Sequence, residues 1–124
     1  EPLMYDLTFL TKALKQNGFQ INIETSGAYP ISGELDWICV SPKKFKMPLN
    51  DVLAKENELK CIIYNKSDFK FAEKNSQHCA EKCKLFLQPE WSKKEPITPL
   101  IVDYVKEHPK WQISVQTHKY MDIP

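Results

Sequence analysis

No apolar run in this chain approaches the roughly 20 residues that a membrane-spanning helix needs. The opening Glu1-Pro2-Leu3-Met4-Tyr5-Asp6 lacks a basic stretch followed by an apolar one, so it does not read as a signal peptide. Charge of one sign is lacking as well. Lysine and arginine number 17 against 16 acidic residues, and a formal +1 gives no electrostatic case for nucleic acid or an anionic membrane. Internal repeats and low-complexity segments are absent. The four cysteines do not form a disulfide framework. Cys39 and Cys61 sit in apolar strand contexts, where a free thiol behaves as a small hydrophobe. Cys79 and Cys83 lie four apart in a helical stretch. That usage fits a reducing, cytoplasmic compartment. An initiating methionine is missing, and the chain opens on a helix with no strand before it. Parallel crossovers come in strand–helix–strand units, so the expectation is a piece of a longer protein.

What is present is the composition of a folded domain. The 124 residues are 42% hydrophobic and 27% charged, read as one domain over 1–124. Leu3, Leu7, Leu10 and Leu14 recur at helical spacing, predicting one apolar helix face that Gly18 ends. Strands are expected at Phe19 to Ile23, Trp37 to Val40, Leu59 to Tyr64, Lys84 to Leu87 and Trp111 to Val115. Between them lie a loop from Gly27 to Asp36, a short helix at 50–57 capped by Asn50, and a helix at 69–82. The last helix is expected to start at Thr98 as cap with Pro99 in its first turn. Its buried face would be Leu100, Ile101, Tyr104 and Val105. This order predicts an α/β fold, with parallel strands of a partial (β/α) barrel.

Four of these strands end in polar tips: Glu24-Thr25-Ser26-Gly27, Ser41-Pro42-Lys43, Gln88-Pro89-Glu90 and Gln116-Thr117-His118-Lys119. In a parallel sheet every strand's carboxyl end opens on one edge, and ligands bind there. Thr25, Ser41, Lys43, Gln88 and His118 would therefore gather in one place. Taken singly, each tip also reads as a strand-ending turn. Ser, Gly and Pro favour turns for local reasons, and a lone histidine is more often structural than catalytic. His78, Cys79 and Cys83 offer zinc-compatible ligands but lack a fourth.

The tips occur in an order and spacing, with a closing Ile123-Pro124, that resembles the 7-carboxy-7-deazaguanine synthases. These are radical S-adenosylmethionine (SAM) enzymes of queuosine biosynthesis. Glu1-Pro2 resembles the end of the Gly-Gly-Glu-Pro stretch of that superfamily, and the match spans nearly all of the chain. The resemblance implies the C-terminal part of an incomplete radical SAM barrel. It implies lyase chemistry that converts 6-carboxy-5,6,7,8-tetrahydropterin to 7-carboxy-7-deazaguanine, using SAM, an iron–sulfur cluster and, in many members, magnesium. The family's three-cysteine cluster motif is not found in this chain. Cys79 and Cys83 have the spacing of its first pair, without a third cysteine. The chain alone is therefore expected to be inactive.

Carried over residue by residue, the resemblance assigns SAM to Glu1, Gly27, Ser41, Pro42 and Lys43. It assigns the pterin substrate to Thr25, Gln88, His118 and the carboxylate of Pro124, with Gln88 open to either ligand. No residue is assigned to catalysis or to a metal. A homodimer or other self-association is expected through an exposed sheet edge. Two other readings of the same residues are a glycyl-radical-enzyme activase and a non-catalytic α/β module for a nucleotide-like ligand.

Overall fold

The computed structural model describes residues 1–123, so Pro124 and its expected carboxylate role lie outside the described residues. A 3-10 turn at Pro2–Met4 leads to α1 (Thr8–Gln16), β1 (Asn22–Thr25), β2 (Trp37–Val40) and α2 (Asn50–Leu53). Then follow β3 (Glu58–Ile63), α3 (Ser67–Ser76), β4 (Lys84–Pro89), a 3-10 turn at Trp91–Lys93, α4 (Lys94–Glu107), β5 (Trp111–Ile113) and α5 (Thr117–Tyr120). The five strands form one parallel sheet in the order β1-β2-β3-β4-β5, and it is not closed. The expected α/β architecture is present.

Strand β3 explains how the sheet is dressed. Leu59, Cys61 and Ile63 are buried, while Glu58, Lys60 and Ile62 between them are half-exposed. A parallel strand covered on both faces reads as an almost continuous apolar run. Alternation here means that helices cover one face only. On that face Leu59, Cys61, Ile63, Leu87 and Trp111 pack with Val52, Leu53, Ala72 and Ile101 from the helices. The other face carries Glu24, Lys60 and Phe86. Lys60 is in register with Phe86.

Several boundaries differ from the sequence reading, each for a visible reason. The four leucines do not share one helix face. Pro2–Met4 forms its own turn, Leu10 is exposed, and Thr11 is buried in its place. The Thr11 hydroxyl donates to Leu7 O at 2.8 Å and accepts from Glu34 N at 3.0 Å, so a polar residue serves the inner face. Phe19 and Gln20 precede β1. The Asp36 carboxylate accepts from Ile21 N at 2.6 Å, and Asp36 N and Trp37 N both donate to Ile21 O, fixing where pairing starts.

Asn50 is the first residue of α2 and does not cap it; Leu49 holds the cap position. Helix α3 starts earlier than expected because Asn65 Oδ1 accepts from Ser67 N at 2.9 Å. The buried Asp68 carboxylate also accepts from Tyr64 N and Asn65 N, at 2.7 and 2.9 Å. It ends at Ser76, before the two cysteines. Helix α4 starts at Lys94, so Thr98 and Pro99 lie inside it. Thr98 donates back to Lys94 O at 2.7 Å instead of capping. Pro99 and Glu95 are both exposed, so the carbonyl that Pro99 leaves without an amide partner is open to water. Strand β4 runs on to Pro89, β5 stops at Ile113, and Thr117–Tyr120 is a helical turn instead of a strand tip.

Candidate ligand site at the carboxyl edge of the sheet

Two neighbouring cavities open at the carboxyl ends of the strands. The first, of about 340 Å³, is lined by Glu1, Thr25, Ser26, Tyr29, Ser41 and Lys43 among others. The second, of about 400 Å³, takes in Lys60, Gln88, Trp91, Ser114, Gln116 and His118. Glu24, Ser41 and Lys43 border both. The sheet thus brings together six of the expected site residues: Glu1, Thr25, Ser41, Lys43, Gln88 and His118.

Gly27 and Pro42 line neither cavity. Gly27 is buried with φ +76°, and an added Cβ would stand 2.9 Å from both Pro48 Cβ and Val40 Cγ1. Its carbonyl accepts from Leu49 N at 2.9 Å, so it seats the loop behind the tip. Pro42 is also buried.

The geometry of the first cavity starts at Glu1. One carboxylate oxygen accepts from Thr25 Oγ1 at 2.7 Å and from Leu3 N at 3.3 Å; the other accepts from Ser26 N at 2.8 Å and from the Ser26 hydroxyl. Burial pushes this carboxyl upward, but the bonds from Ser26, Thr25 and Leu3 outweigh it and hold the pKa below the ordinary value. Glu1 is therefore a fixed anion at the tip of β1. Opposite, Ser41 is buried at the end of β2 with its amide on Thr25 O at 2.7 Å, and Lys43 Nζ donates to Ser41 Oγ at 3.0 Å. The cavity therefore carries a held cation and a held anion beside hydroxyls. Tyr29 supplies an aromatic wall, with Lys46 Nζ 3.6 Å from its ring centroid.

In the second cavity Gln88 is buried at the end of β4, and its Oε1 accepts from Ser114 Oγ at 3.1 Å. Its amide N–H groups remain as donors toward the space. Gln116 Oε1 is buried without a partner among the described residues. His118, on α5, is exposed at the rim. Lys60, in the second cavity, reaches Glu24, which borders both, at 2.7 Å. Sequence reasoning missed Lys60 and Glu24. The signal was the alternation of β3, which turns Lys60 away from Leu59 and Cys61.

The expected groups can be tested against this chemistry. A carboxylate and an ammonium on opposite sides, with hydroxyls between, complement the ammonium, carboxylate and ribose of SAM. An iron–sulfur cluster does not fit the cysteines described. Cys61 faces the helix-covered side while Cys39 contacts Glu58 Oε1 at 3.4 Å, and Cys79 and Cys83 lie at the other end of the sheet. His78 is exposed, and the group brought together with the two cysteines is completed by Glu56, not His78.

A one-sided, unclosed parallel sheet with paired cavities across its strand carboxyl ends defines an α/β protein of partial-barrel type. No protein-family model matches the chain. It is 56% identical over 124 residues to 7-carboxy-7-deazaguanine synthase of Flavobacterium psychrophilum, covering 100% of this chain and 59% of that protein. It is 43% identical over 123 residues to the synthase of Synechocystis sp., again covering 59% of it. In structure it is similar to Escherichia coli QueE, with a TM-score of 0.83 and 29% identity over 94% of this chain and 53% of that one. The chain is homologous over its full length to part of the 7-carboxy-7-deazaguanine synthases, as its strand-end motifs imply. It spans about 59% of the length of these two curated relatives.

Proposed function

We propose that this chain provides the ligand-binding strand edge of a 7-carboxy-7-deazaguanine synthase, the radical SAM lyase that acts on 6-carboxytetrahydropterin. The observation that supports it best is the convergence of Glu1, Ser41 and Lys43 on one cavity and Gln88 and His118 on its neighbour. In this reading SAM occupies the first cavity and the pterin the second. SAM supplies a deoxyadenosyl radical when it is cleaved beside a reduced iron–sulfur cluster, whose ligands are not among the described residues of this chain.

The work of this chain is positional. Lys43, steadied by Ser41, binds a carboxylate, and Glu1 stands ready for an ammonium while tied to the tip of β1. Gln88 offers amide hydrogens to the lactam edge of a pterin, and His118 meets the substrate from the rim. Fixing two ligands within one hydrogen-transfer distance lowers the entropic part of the barrier. No residue of this chain is assigned to magnesium, and no step is assigned to that ion. The free outer edge of β1, which pairs only with β2 among the described residues, supports self-association. Sedimentation at two concentrations tests it, and an unchanged monomer would count against it.

The test of the function is reconstituted turnover of 6-carboxytetrahydropterin by a synthase carrying this chain. Lys43→Ala is expected to raise the SAM concentration needed by tenfold or more, while His118→Ala acts on the pterin KM. Undiminished turnover by both variants would overturn the assignment. Uptake of SAM with no cleavage in the reconstituted protein would favour a non-catalytic binding module.

A further inference from the structure

At the opposite end of the sheet from these cavities, Glu56 precedes β3, and Cys79 and Cys83 lie between α3 and β4. One ligand atom from each of the three lies within 4.8 Å of the others. Cys79 Sγ is 2.6 Å from Glu56 Oε1, and Cys83 Sγ, close to both, also has a weak 3.6 Å contact with Lys84 O. Glu56 is 3% exposed, and its second oxygen, Oε2, has no hydrogen-bond partner among the described residues. None of the ion pairs there involves it. Burial pushes the pKa of the Glu56 carboxyl up to about 9, so away from water it is neutralised by a proton unless a cation takes that place.

The geometry points to a zinc site held by Glu56, Cys79 and Cys83, three protein ligands that leave the fourth tetrahedral position to water or a further ligand. Thiolate and carboxylate ligands suit a tetrahedral zinc ion. With zinc–sulfur bonds near 2.3 Å, tetrahedral sulfur atoms stand about 3.8 Å apart, inside the span seen here. The Glu56–Cys79 contact opens by under about 1 Å to admit the ion. Both thiols and the Glu56 carboxyl release their protons to solvent as they bind, and the cation replaces the proton that neutralised the buried carboxyl. A disulfide between Cys79 and Cys83 would remove the Cys79 donor from Glu56 Oε1 and leave that carboxyl no ligand role, which is why the metal is favoured. The ion would pin the start of β3 to the approach to β4, whose adjacent backbone is already joined by Lys84 N to Asn57 O at 2.9 Å. This site does not depend on the synthase reading.

The test uses the reduced chain, stripped with chelator and titrated with Co2+ without oxygen. We expect one Co2+ per chain with a thiolate–cobalt charge-transfer band, bleached by Zn2+. The band should vanish in Cys79→Ser and Cys83→Ser, and Glu56→Gln should weaken binding at least tenfold. In the unmutated chain, Zn2+ should slow alkylation of Cys79 and Cys83 at least tenfold, and chelator should restore it. No band and no protection, a band surviving loss of both cysteines, or full affinity in Glu56→Gln would overturn the site.

Discussion

Replacing Glu73 with alanine should loosen the join between α3, α4 and β5. One carboxylate oxygen accepts from Trp111 Nε1 at 2.7 Å and Tyr104 OH at 2.8 Å, and the other accepts from Lys110 Nζ at 2.6 Å. Trp111 is almost fully buried, so its indole N–H would lose its partner at a cost of about 1–3 kcal/mol. Half-buried Tyr104 regains water and loses about 0.5–1.5 kcal/mol, and exposed Lys110 adds at most about 1 kcal/mol. The sum is about 3 kcal/mol, a large share of the roughly 5–15 kcal/mol of a domain. For a chain of this size that lowers Tm by roughly 9–15 °C. Urea unfolding followed by tryptophan fluorescence reads it. Glu73→Gln, which keeps one acceptor, should lose less. The charge has a pH signature too. Burial pushes Glu73 up, but bonds from Lys110, Trp111 and Tyr104 outweigh it and hold its pKa below the ordinary 4.5. A depressed carboxyl stabilises the fold above its unfolded value and ceases to do so as pH falls through the folded one. The advantage over Glu73→Gln should therefore be constant at neutral pH and shrink below about pH 4.5. A loss under about 0.5 kcal/mol for Glu73→Ala would refute the reasoning, since one buried unpaired N–H alone exceeds it.

Three further outcomes follow from the same contacts. Gly27→Ala places a Cβ 2.9 Å from Pro48 Cβ and Val40 Cγ1, whereas Gly18→Ala meets nothing within 4 Å at a similar positive φ. Both should show the left-handed cost of about 1–2 kcal/mol, but Gly27→Ala should melt distinctly lower, and equal melting points would contradict the account. Asp68→Ala removes the buried acceptor of the Tyr64 and Asn65 amides and should cost about 1–3 kcal/mol, with faster amide exchange at those two residues; unchanged exchange would count against it. Leu87→Ala, in the fully buried centre of β4, should cost about 2–5 kcal/mol by urea unfolding, and a loss below about 1 kcal/mol would deny Leu87 its place in the core.

Periodicity and punctuation carried most of the architecture. Trp37 to Val40 is a strand as written, and the order of elements follows from alternating apolar runs and turn residues. The misses arose where side chains overrode local preference. Thr98-Pro99 has the form of a helix start, yet Glu90 and the Trp91–Lys93 turn begin the helix earlier, because Glu90 accepts from Ser92 N at 3.0 Å. Thr11, not Leu10, faces inward because the amide of Glu34, 23 residues on, donates to its hydroxyl. The tips were legible because a parallel sheet aligns strand ends whatever lies between them. Lys60 and Glu56 were not, since their roles depend on partners 36 and 23 residues away in sequence.

The proposed function rests on SAM binding between the tips of β1 and β2. A structure of a synthase carrying this chain, solved with SAM bound, tests it most directly. The methionyl carboxylate is expected against Lys43 and Ser41 and the ammonium on the Glu1 side. SAM bound away from Ser41 and Lys43 would contradict it.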